Sequence, residues 1–143
     1  MGRGEEDMQE YYRDTWAEID LDAIAYNVKQ IKKLHPTKEI FAVVKANGYG
    51  HGDAEVSKVA IEAGVSCLAV SGLAEALRLR QSGIEVPILV LGMTRLKDVS
   101  LAAENNISLT AHDEVWINHL VSLPLEKKIK VHLKIDSGMH RLG

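Results

Sequence analysis

Short apolar runs alternate with amphipathic stretches along almost the whole of this chain, and that alternation narrows its fold more than any other feature. Leu21, Ile24, Val28, Ile31 and Leu34 recur at steps of three and four, which is one face of a helix. Asp20 or Asp22 can cap it, and Pro36 stops it. The run EIFAVVK over 39–45 is short, β-rich and apolar, and it ends at the Asn-Gly of NGYGHG. The pattern then repeats. Helices are predicted over 53–64, 73–82, from a Thr94 cap to about 104, and over 113–121. Strands are predicted over 67–70, 87–91, 107–110 and 129–136, the last followed by the loop SGMHRLG.

Strand–helix alternation with short links argues for parallel strands joined by right-handed crossovers. The runs are continuous rather than alternating, so both faces of the sheet are expected to be buried. Five such strands follow a less regular opening segment, 15–21 (TWAEIDL), where Trp16, Ile19 and Leu21 suggest one more short strand. Two α/β architectures fit: an open doubly wound sheet, or the N-terminal part of a (β/α)8 TIM-type barrel. A whole barrel takes roughly 200 residues or more, so 143 residues would supply only part of one. No crossover helix follows the last strand, and the chain therefore reads as truncated, with 22–143 as a partial barrel domain.

Composition removes several classes. Seventeen Lys and Arg against twenty Asp and Glu give a formal charge of −3, no electrostatic footprint for nucleic acid. No apolar run approaches the roughly 20 residues that span a bilayer. Cys67 is the only cysteine, so a disulfide framework and a cysteine-based zinc site are both excluded, and it is expected as a small buried hydrophobe. Residues 1–14 are acidic and lack an apolar core, which marks a polar arm rather than a secretory signal and makes the cytoplasm the default location.

The chemistry gathers where the first βα strand ends, in AVVKANGYGHG over 42–52. In parallel α/β folds the carboxyl ends of the strands form the edge that carries catalytic groups. A lysine there, Lys45, is expected to be partly desolvated, and its amine suits Schiff-base chemistry with carbonyls. Gly48, Gly50 and Gly52 let the backbone turn sharply, and Tyr49 offers a hydroxyl from the same loop. On position alone Lys45 could equally be a solvated strand-end lysine and the glycines mere turn residues. No Gly-Lys-Ser/Thr follows, so this is not a P-loop. His51 and Asp53 lack a third ligand, and no metal is expected.

VVKANGYGHG resembles the pyridoxal-phosphate signature of bacterial alanine racemases, and LKIDSGMHRLG, over 133–143, resembles a second motif of that family. WAEIDLDAI with Asn27, PILVLG and ISLT fall in the family's order between and before them, so the resemblance runs from Trp16 onward. It implies the first part of a (β/α)8 barrel, with the opening strand belonging to a C-terminal β-domain. It implies that Lys45 holds pyridoxal 5'-phosphate and acts as the base on one face of the substrate α-carbon. Tyr49 is similar to the tyrosine that hydrogen-bonds the cofactor phosphate. Arg141 is similar to the arginine that contacts the cofactor's phenolic oxygen and the substrate carboxylate. Lys134 resembles a lysine often carbamylated to orient that arginine, and Asp136 is expected to be structural. His140 and Gly48 depart from the commonest family residues, Gly and Ala, and His140 is expected to impose an ordinary φ on its loop.

The implied activity is interconversion of L- and D-alanine for peptidoglycan in a cytoplasmic homodimer. The second proton-transfer residue, a tyrosine, comes from the partner subunit's β-domain in that family, and none of Tyr11, Tyr12 or Tyr26 matches it. The 143-residue chain is therefore expected to be inactive alone. Other readings are a serine racemase or amino-acid decarboxylase of the same fold type, although decarboxylases share only the shorter VKAN core, or a non-catalytic truncated product.

Overall fold

The computed structural model describes residues 14–143; the expected polar arm over 1–14, with Tyr11 and Tyr12, lies outside them except for Asp14. Helix α1 (Leu21–Leu34) leads into β1 (Phe41–Val43), which is followed by the single turn α2 (Lys45–Tyr49) and by α3 (Asp53–Glu62). Three more strand–helix units follow: β2 (Cys67–Val70) with α4 (Leu73–Gln81), β3 (Ile88–Val90) with α5 (Val99–Glu104), and β4 (Ile107–Ala111) with α6 (Glu114–Val121). The last described strand is β5 (Val131–Leu133). All neighbouring strands are parallel, and their spatial order is their sequence order. A doubly wound sheet reverses its strand order at a switch point. This sheet does not, which decides for the barrel arc.

The register separates two faces. Leu68, Ile88 and Ile107 are level with one another, as are Val70 and Val90, and Leu109 continues that face. All six are at most 1% exposed, packed with Ala76, Leu79, Val99, Ala102 and Trp116 in the layer between sheet and helices. Burying each leucine or isoleucine there contributes about 1.5–3 kcal/mol. On the opposite face, Phe41 is level with Cys67, Ala69 with Leu89, Leu89 with Ser108, and Thr110 with His132. Phe41 and His132 belong to the first and fifth strands, which are not hydrogen-bonded to each other. Yet their rings meet edge to face with centroids 6.1 Å apart. The sheet is therefore curled, with this second face concave. Cys67 is buried on it as a free thiol, and burial, with Glu39 second, pushes the thiol pKa up.

Helix ends follow local chemistry. The Asp20 carboxylate accepts from Ala23 N at 2.9 Å and begins α1, while Asp113 accepts from Trp116 N at 2.7 Å and begins α6. The apolar face of α1 is only half used: Ile24 and Val28 are half-buried, but Ile31 and Leu34 are exposed. At the amino ends of the strands, Arg80 donates to the carbonyls of Ile84, Val86, Asn105 and Asn106 at 2.8–3.0 Å. One guanidinium thus pins the turns before β3 and β4.

Three sequence expectations are corrected. The opening segment is corrected at its end: Leu21 already belongs to α1, and residues 15–20 lie in no β-ladder among the described residues, which include none of the β-domain that the resemblance implies for them. Thr94 caps no helix. A 3₁₀ turn, Leu96–Asp98, precedes α5, and the Thr94 carbonyl instead accepts the indole N–H of Trp116 at 2.8 Å. β5 is three residues rather than eight, since among the described strands it pairs only with β4, and beyond Val131–Leu133 the bonding extends by a single residue at each end, through Lys130 O and Lys134 N.

Candidate active site

Lys45 lies at the carboxyl end of β1 and is half-buried. The turn it opens is left-handed: φ is +51° at Ala46, +55° at Asn47, +61° at Gly48 and +56° at Tyr49. Left-handed backbone costs roughly 1–2 kcal/mol per residue bearing a Cβ, and three of these four bear one. The strain is offset by hydrogen bonds. Gly48 N donates to Val44 O at 3.0 Å, Gly50 N to Ala46 O at 3.1 Å, Gly52 N to Asn47 O at 2.9 Å, and Asp53 N to the Asn47 side chain at 3.1 Å. His51 folds back as well, its Nδ1–H donating to Gly48 O at 3.0 Å. It is a loop-closing residue, and no cluster of metal-ligating side chains exists among the described residues. The turn brings the Tyr49 ring under the lysine, with Nζ 5.7 Å from the ring centroid.

Lys45 and Arg141 line one open depression of about 180 Å³, together with Ser71, Leu91, Gly92 and Leu142. These residues are the ends of β1, β2 and β3 and the segment after β5. Two grooves elsewhere are larger, about 240 Å³ beside α5 and about 340 Å³ beside α3, but neither holds Lys45, Arg141 or any strand-end residue. Lys134 stands half-buried at the end of β5, its backbone N–H donating to Ala111 O at 2.8 Å. No hydrogen bond or ion pair joins it to Arg141, which is exposed. Asp136 shapes the loop between them. Its Oδ1 accepts from Gly138 N at 2.9 Å and His140 N at 3.0 Å, and these bonds hold its pKa below the usual carboxylate range. Its Oδ2 lies 3.2 Å from His140 Nδ1. His140 consequently takes φ +55°, against the expectation of an ordinary φ there.

Five residues of this edge escaped the sequence reading. Gly92 was visible only as the end of PILVLG, and Ser71 and Leu91 only as strand-end residues. His112, just after β4, is 4% exposed in its side chain, with Nε2 3.2 Å from Asp113 Oδ2 and its ring 5.5 Å from that of Trp116. Glu75 was readable as a helix-start acid three residues after Gly72, but not as a residue that reaches the Lys45 loop.

Sequential parallel strands with an amine, a guanidinium and a tyrosine at their carboxyl edge define the lysine-bearing arc of a (β/α)8 barrel enzyme. The sequence profile of the alanine racemase N-terminal domain matches residues 19–143. Alanine racemase of Geobacillus kaustophilus (strain HTA426) is 54% identical over 138 residues, 95% of this chain and 36% of that protein. Alanine racemase 1 of Bacillus subtilis (strain 168) is 49% identical over 134 residues, 93% of this chain and 34% of that one. The Bacillus anthracis alanine racemase crystal structure with bound L-Ala-P superposes with a TM-score of 0.88 at 49% identity, covering 94% of this chain and 35% of that one. A histidine racemase from Leuconostoc mesenteroides superposes with a TM-score of 0.81 at 38% identity, over 86% of this chain and 34% of its own. The chain belongs to the alanine racemase N-terminal domain family. It spans about a third of the length of the relatives it matches.

Proposed function

We propose that this chain provides the lysine-bearing half of a pyridoxal-phosphate-dependent alanine racemase site. The observation that carries the reading is the shared depression: Lys45 and Arg141, almost a hundred positions apart, line one mouth in a chain of this family. The donor set fits the cofactor. Lys45 offers a half-buried primary amine for its aldehyde, Tyr49 a phenol from the adjoining turn for its phosphate, and Arg141 a guanidinium for its phenolic oxygen. Bound, pyridoxal phosphate would let its ring take up the negative charge that develops as the Cα–H bond of an amino acid breaks.

The residues of the chain then divide the work. The Lys45 amine holds or removes the proton on one face of the α-carbon. Arg141 fixes the substrate carboxylate and so selects which face is presented. Lys134 and Arg141 are two cations on the segment that begins at the end of β5, and conversion of Lys134 to a carbamate would give Arg141 an anionic partner in place of a repulsive neighbour. The acid on the opposite face corresponds to no matched position of this chain. The 143 residues alone therefore carry cofactor but do not racemise, and the complete activity belongs to a longer cytoplasmic homodimer.

The test is addition of pyridoxal phosphate to the purified chain, borohydride reduction, and mass mapping of the label. Labelling concentrated on Lys45 and lost in Lys45→Ala is the expected result; labelling spread over surface lysines would sink the proposal. Assays with L-alanine and L-histidine on the chain fused to its native continuation distinguish alanine racemisation from the histidine activity named for one structural relative.

A further inference from the structure

We infer that Glu75 is a positioning residue for Lys45, holding the strained turn from which the lysine projects. Glu75 lies in the first turn of α4, and its half-buried carboxylate accepts three backbone N–H groups. Ser71 N and Gly72 N donate to Oε2 at 2.7 and 3.0 Å. Those two bonds are ordinary helix-start chemistry, and Gly72 has no side chain to return the contact. The third bond is different. Ala46 N donates to Oε1 at 2.7 Å from 29 residues away. Ala46 is the residue immediately after Lys45 and the first of the four left-handed residues.

The geometry explains why an anion is needed there. Carbonyls within the turn and strand satisfy the N–H groups of Gly48, Gly50 and Gly52, but the Ala46 N–H has Glu75 as its acceptor. A charge-assisted bond is about twice as strong as a neutral one. It also fixes direction: with Oε1 on Ala46 and Oε2 on Ser71 and Gly72, one rigid group ties the end of β1 to the end of β2. Both ends line the depression, through Lys45 and Ser71. Glu75 itself does not line it, so its influence on the amine is exerted through the backbone. The inference deepens the proposed function, since it concerns how the same lysine is presented.

Glu75→Gln keeps the shape, removes the charge and turns one oxygen into an NH2 that cannot accept. Ser82→Ala, at the opposite end of α4, removes the Ser82 hydroxyl bond to Leu79 O and leaves Ala46 untouched. Two readouts are taken on the free chain: amide hydrogen exchange at Ala46, Ser71 and Gly72, and the rate at which Lys45 is acylated relative to the other lysines. The positioning role predicts at least tenfold faster Ala46 exchange and at least a threefold change in relative Lys45 reactivity in Glu75→Gln, with neither in Ser82→Ala. Faster exchange at Ser71 and Gly72 with unchanged Lys45 reactivity would make Glu75 a helix cap only and overturn the inference. A uniform rise in exchange and reactivity across the chain, in both variants, would overturn it too. Neither readout uses pyridoxal phosphate, so a failure of the functional reading leaves this result interpretable.

Discussion

Gly92 approaches the carbonyl of Ser71 so closely that a Cβ on residue 92 would overlap that oxygen. Gly92 N also donates to the same oxygen at 3.0 Å, so the ends of β2 and β3 are drawn together beside Lys45. The contact is to backbone, which cannot rotate away as a side chain could. Gly92→Ala must therefore part the two strand ends. We expect a loss of roughly 1–3 kcal/mol, the usual cost of overpacking, read as a lower urea midpoint. Borohydride trapping of pyridoxal phosphate on Lys45 should fall as well; unchanged stability and trapping would show that the strand ends give way without cost.

Trp116 closes the layer above β3 and β4. Its indole N–H donates to Thr94 O at 2.8 Å, and both residues are buried. Trp116→Phe removes the donor and leaves a buried carbonyl unpaired, which costs about 1–3 kcal/mol. Thermal unfolding should shift down by several degrees, with helix content unchanged at 20 °C. An unshifted transition would mean that water takes over the Thr94 carbonyl.

The pH response of Glu75 follows from its partners. Burial alone would raise its pKa, but the N–H groups of Ala46, Gly72 and Ser71, with Arg78 nearby, outweigh that and hold it low. A depressed carboxylate stabilises the fold above its unfolded pKa, near pH ~4.3. That stability is lost as pH falls through the lower folded value. The stability gap between the native chain and Glu75→Gln should therefore stay constant from pH 7 to 5 and shrink in more acid solution. A gap that widened on acidification would contradict the direction of the shift.

Asp20 is the simplest test of local capping. Asp20→Ala removes the acceptor of Ala23 N and should cost about 1 kcal/mol. Asp20→Asn should recover most of it. The effect is read in the urea midpoint, since α1 packs against α3.

The barrel arc was legible because its strands are continuous apolar runs and its amphipathic stretches are separated from them by short links, the first of them stopped at Pro36. Lys45 was legible because strand-end position, glycines and motif agree. What resisted reading is set by tertiary contacts. Nothing in Ala46, Asn47 or Tyr49 announces left-handed backbone, since two of the three are residues that avoid it. The Glu75 bond to Ala46 and the four carbonyls on Arg80 depend on how helices stack against the sheet. Segment 15–21 was misread at its end, because Leu21 opens the apolar face of α1. His140 misled because the pull of Asp136 on its backbone and ring is stronger than its own φ preference.

The meeting of Phe41 with His132 bears on more than the outline of the sheet. Lys45 stands two positions beyond Val43 on one of those strands and Lys134 two positions beyond His132 on the other. No bond joins the two lysines, so their separation is a chord across an arc whose bend is set in β2, β3 and β4. Ala69, Leu89 and Thr110 then act as spacers. Enlarging or shrinking any of them would retune the distance between two groups carried on other strands.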